Sequence, residues 1–88
     1  MTLKDFEFDR IITKFGFRTR EGRDRLAWLE HEGRTVIYTK RSKQRGELPR
    51  PHDIRQQLRL TPKQLSEAIS CTLDREGYLA ILRGKGRI

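Results

Sequence analysis

Eighty-eight residues give one domain's worth of chain, too short for two independent cores, and 34% hydrophobic against 36% charged residues leaves little apolar surface beyond a small centre. Twenty basic residues against 12 acidic ones set a net charge of +8, and 14 of the bases are arginine, a balance that predicts a polyanionic partner, while the scarcity of apolar residues argues against a membrane span or a large ligand cavity. The lone Cys71 excludes an internal disulfide and a multi-cysteine metal site, and its apolar neighbours at helical spacing make it a core residue rather than a nucleophile.

The start, Met1-Thr2-Leu3-Lys4-Asp5, is too polar for a signal peptide, and no run of 18 apolar residues exists, so a cytoplasmic protein is expected. Phe8, Ile11, Ile12 and Phe15 then recur at i, i+3, i+4 and i+7, predicting a first helix that begins between Thr2 and Asp5. Gly16 reads as its left-handed cap and Phe17 as the hydrophobic residue that packs back, launching a short strand over Phe17 to Arg20. After the Glu21-Gly22 turn, Asp24 to Glu30 and Arg34 to Lys40 are strand-length runs joined by His31-Glu32-Gly33, a β-hairpin. Alternation places Leu26, Trp28 and Glu30 on one face and Ala27 and Leu29 on the other, without saying which is buried.

Arg41 to Pro51 is polar, holds Gly46 and Pro49, and has no apolar period, so it is a loop. Ile54 and Leu58 mark a short helix opened by Pro51. Thr61-Pro62 is an N-cap with an N1 proline, starting a helix with Leu65, Ala68 and Ile69 inward. Asp74 caps a last helix carrying Tyr78, Leu79 and Leu82, ended by Gly84 and weakened by Gly77. The order is an α+β plan: a helix, a three-stranded antiparallel sheet, then two to three short helices covering one face. Residues 1–88 form a single domain, with an α-β-β-β-α core over 1–60 and a helical extension over 61–88.

Between Arg34 and Lys63 nine bases face only Glu47 and Asp53, which concentrates seven of the eight net charges in the middle third. An arginine-rich genome would raise the total but not this clustering. A guanidinium grips phosphate with a planar fork of donors, so Lys40, Arg41, Lys43, Arg45, Arg50, Arg55 and Arg59 are the expected phosphate contacts to RNA. Trp28 and Tyr38 either stack on unpaired bases or pack in the core.

Lys14-Phe15-Gly16-Phe17, the Gly22 turn, Tyr38-Thr39-Lys40 and Ile54 to Leu60, with Cys71 to Tyr78, resemble the HicA-type toxins. That resemblance implies a fold similar to a double-stranded RNA-binding domain, messenger-RNA binding or cleavage, and an antitoxin-like protein partner. The family's cleaving histidine would fall at Asp24 or, one residue on, Arg25. An imidazole takes a proton near neutral pH, whereas an exposed aspartate or a permanently charged arginine does not.

If cleavage exists, His52, beside Arg50 and Arg55, and His31, in the hairpin turn, are the candidate catalytic groups of an endoribonuclease. It would need neither metal nor cofactor, because two isolated histidines and scattered carboxylates show no ligand spacing. A competing reading makes Ile54–Leu60 and Lys63–Ser70 a helix-turn-helix that binds DNA, with Lys63, Gln64 and Glu67 toward base edges. The oligomeric state is not legible.

Overall fold

The computed structural model describes residues 2–70 and 72–88, so the reading of Cys71 falls outside it. Helix α1 (Asp5–Lys14) opens where Glu7 accepts a 2.8 Å hydrogen bond from the Lys4 backbone N–H. It closes on a Schellman turn, with Gly16 at φ +77° and the Phe17 N–H donating to the Ile12 carbonyl at 3.0 Å. Strands β1 (Arg18–Glu21), β2 (Arg25–His31) and β3 (Arg34–Arg41) form an antiparallel meander in the order β1-β2-β3. Glu32 and Gly33, both at positive φ, make the two-residue turn between β2 and β3, the backbone shape that matches strand twist. Beyond it the register slips by one residue at Val36, because Leu29 faces Ile37 while Glu30 faces Thr35.

Helices α2 (Pro51–Gln57), α3 (Pro62–Ile69) and α4 (Arg75–Gly84) complete the expected α+β order. Thr61 caps α3 by accepting from the Gln64 N–H, and the Gln64 side chain returns the bond to the Thr61 N–H. Asp74 caps α4 by accepting from the Gly77 N–H at 2.8 Å, and a Cβ on Gly77 would meet the Leu73 side chain at 2.8 Å. Gly77, helix-weakening by propensity, thus leaves room for the Leu73 side chain, which a larger residue would oblige to move. Helix α4 ends at Gly84, as expected, and the left-handed residue that follows it is Gly86.

The sheet's buried face is the one carrying Ala27, Leu29, Ile37 and Thr39. Phe8, Ile11, Ile12 and Phe15 of α1 join them in one core, as do Ile54, Leu58, Leu65, Ala68, Leu79 and Leu82. At its centre Tyr78 of α4 lies flat on Phe15, centroids 4.4 Å apart and planes within 8°, and donates its hydroxyl proton to the Leu58 carbonyl at 2.9 Å. Burial holds that hydroxyl well above the ordinary tyrosine pKa. Residues 61–88 thus supply a share of the only hydrophobic cluster among the described residues, and are not peripheral to the 1–60 segment. No helix among the described residues is long and apolar enough to cross a membrane.

Candidate nucleic-acid interface

The basic segment begins at the end of β3 and runs through residues 42–50 into α2. This loop has no regular structure of its own, yet it is fastened to the start of the chain. The Asp5 N–H donates to the Gly46 carbonyl at 2.9 Å, and the Leu48 N–H to the Leu3 carbonyl at 2.8 Å, with Leu48 itself buried. Arg45 therefore projects immediately before the stretch of loop backbone, residues 46–48, that is tied to the start of the chain.

Where β3 packs against α2, the buried Thr39 hydroxyl donates to the Gln57 carboxamide oxygen at 2.7 Å and pins the seam. Two surface clefts, of about 310 and 250 Å³, share Gln57 as a wall and line up along this seam. The larger carries Lys40, Arg50, Asp24 and Asp53, and the smaller Tyr38 and Arg59. The helix α2 is thus flanked by an exposed arginine at each end, and both sit in the left-handed region: Arg50 at φ +53° and Arg59 at φ +63°.

Arg59 occupies the position that glycine holds after α1 and α4. Its N–H donates to the Gln56 carbonyl and the Leu60 N–H to the Arg55 carbonyl, the same Schellman pair. A non-glycine residue there is strained by about 1 kcal/mol or more. Arg59→Gly is expected to raise stability by about 0.5–1 kcal/mol, seen as a melting temperature a few degrees higher, while weakening any anion binding at this end of α2. A melting temperature that falls would show that the arginine side chain itself supports the fold.

The seven expected phosphate contacts divide into three groups. Arg45, Arg50 and Arg59 are exposed, with no ion pair among the described residues. Lys40 and Lys43 are exposed and lie at 4.0 Å from Asp24 and 3.7 Å from Glu21, pairs that water screens and phosphate can displace. Arg41 and Arg55 are engaged inside. Arg41 belongs to β3 rather than to the loop, and its side chain, 10% exposed, grips Asp9 of α1 with two 3.0 Å bonds. Arg55 donates to the Leu60 carbonyl at 2.9 Å and so closes the turn after α2.

Asp24 and Arg25, the two residues that the resemblance would set at a histidine position, have different fates. Asp24 lines the larger cleft, whereas Arg25 turns to the core side and meets Asp9 at 3.3 Å. Of the histidines, His31 ends β2 at the hairpin and His52 lies on the exposed first turn of α2, beside the opposite end of β3. They do not converge, and neither lines the cleft that holds Asp24.

No cluster of three or more metal-ligating side chains exists among the described residues. Gln64, placed toward base edges in the helix-turn-helix reading, has its carboxamide oxygen engaged in capping α3. Sequence reasoning passed over Arg83 and Arg87 of the C-terminal segment, which join Arg34 and His31 around a cavity of about 220 Å³. It also passed over Arg18 and Arg20 of β1, whose place beside Trp28 and Leu26 follows only from the strand register. No family model, curated protein or solved structure matches this chain.

Proposed function

We propose that this chain is a small cytoplasmic RNA-binding protein of the HicA type that holds its ligand along the β3–α2 seam without an efficient cleaving group. The observation that carries the reading is the set of exposed, unpaired guanidiniums of Arg45, Arg50 and Arg59, arranged along a tethered loop and at both ends of α2. Each can neutralise a phosphate and release its counterions, which yields affinity that falls steeply with salt. Lys40 and Lys43 add weaker contacts at the β3 end. Two left-handed arginines are a conformational cost that a purely structural role would remove by substituting glycine, and anion binding gives a reason for their side chains.

With Asp24 in the cleft at the position the resemblance gives to histidine, and His31 and His52 apart, the described residues place no pair of histidines to exchange protons at a phosphodiester. Binding without turnover is the activity this supports, and the resemblance adds an antitoxin-like protein as the natural regulator.

The test is a salt titration of binding to structured RNA. Replacing Arg45, Arg50 and Arg59 together by alanine should weaken binding by at least tenfold near physiological salt and reduce the salt slope by about 2. A slope equal to that of the unaltered protein would refute the assignment, and labelled RNA cut by the unaltered protein but not by a His31/His52 double variant would replace binding with catalysis.

A further inference from the structure

All four helices lie on the Ala27/Leu29/Ile37 side of the sheet, so the opposite face has no covering element among the described residues. The strand register lays out that open face rung by rung. Arg18 of β1, Trp28 of β2 and Tyr38 of β3 stand directly across from one another, and the next rung is Arg20, Leu26 and Lys40. Tyr38 is 51% exposed, one of two large hydrophobic residues left that open, while Trp28 and Leu26 are half-buried. Directly opposed residues bring their side chains about 5 Å apart, so the aromatic pair forms a continuous surface with cations on both flanks.

We infer that this face is a platform for unpaired nucleobases, which makes single-stranded RNA the preferred ligand over duplex. The inference rests on the RNA-binding reading and specifies its substrate class. An apolar face alone would fit many occupants, but the charges select among them. Arg18 and Arg20 border it on the β1 side and Lys40 on the β3 side, leaving a strip whose centre suits a ring and whose margins suit phosphate.

Of these cations, Arg20 has no ion pair among the described residues. Arg18, itself exposed, holds the half-buried Glu30 at 3.2 Å, and the exposed Lys40 lies 4.0 Å from Asp24. Such pairs are weak enough for a phosphate to displace. Tyr38 belongs to both surfaces, because it also lines the seam cleft with Arg59. A strand of RNA whose backbone follows the seam can therefore turn its bases onto the sheet.

Trp28 is the chain's only tryptophan, so its emission reports on this face alone. Titrating the unaltered protein with a short oligouridylate should quench that emission, whereas a blunt RNA duplex of equal length should quench it little. Tyr38→Ala should lower oligouridylate affinity by about 5- to 150-fold, the range of one lost base-stacking contact, and lower duplex affinity by a much smaller factor. Tyr38→Phe, which keeps the ring, should restore it. Position 38 is exposed, so the fold tolerates both changes, and circular dichroism checks this.

Oligouridylate binding that neither moves Trp28 emission nor responds to Tyr38→Ala would overturn the platform while leaving the basic seam intact. Tighter binding to duplex than to single strand would overturn it equally. Absence of binding to either RNA at low salt would remove both readings together.

Discussion

Replacing Tyr78 by alanine is expected to cost about 3–5 kcal/mol, a large part of the stability of a chain of this size, for which roughly 0.05–0.15 kcal/mol per residue is typical. Three losses coincide at one side chain. Its ring is fully buried and stacked on Phe15, with Phe17 at 6.0 Å on a tilted approach. Its hydroxyl is the partner of the Leu58 carbonyl, at the C-terminal end of α2, where backbone acceptors have no helical donor. Removing the ring leaves a cavity and an unsatisfied buried carbonyl at once. Tyr78→Phe isolates the second term and should cost about 1–2 kcal/mol. Chemical denaturation of both variants separates the contributions, and an alanine variant within 1 kcal/mol of the parent would mean that the core repacks around α1 and α2 without α4.

The second large effect is expected at Asp9. Its carboxylate receives both 3.0 Å bonds from Arg41 and a 3.3 Å contact from Arg25, which stand opposite each other at the end of the β2–β3 pair. Asp9→Ala leaves a 10%-exposed guanidinium with the Ser42 carbonyl as its remaining acceptor and places a second cation beside it. Removing one member of a buried pair costs about 3–5 kcal/mol; Asp9 is 31% exposed, so about 2–4 kcal/mol is expected here. Asp9→Ala combined with Arg41→Met, which replaces the stranded charge by an apolar chain, should recover at least half of the loss. A double variant no more stable than the single would show that packing, and not the uncompensated charge, sets the cost.

The same pair of residues shows where sequence reasoning reaches its limit. Repeating patterns were legible: the α1 stripe from Phe8 to Phe15, the Gly16-Phe17 ending, the Thr61-Pro62 start and the two strands around Glu32-Gly33 all follow from neighbours a few residues apart. Arg41 looked like a loop cation because its partner lies 32 positions earlier, and only the packing of α1 on the sheet brings them together. Arg59 gave no sign of a helix ending because the residue after a helix is usually glycine.

The direction of the sheet was equally hidden. Ala27 and Leu29 against Leu26 and Trp28 is a near-even contest on hydrophobicity, decided by four helices that all pack on one side. The charge clustering was legible as a number and only partly as a surface. Of seven bases, Arg41 and Arg55 are spent on the fold, and Arg18 and Arg20 enter through β1, whose register nothing local encodes.

The contact of Tyr78 and Arg75 with Phe15, some sixty residues back, also bears on how the chain is made. Emerging from a ribosome one end first, α1 and the sheet keep part of their apolar side uncovered until α4 has been synthesised. During that interval the nascent chain is a natural client for chaperones, and messages broken before the α4 codons would yield products fit only for proteolysis.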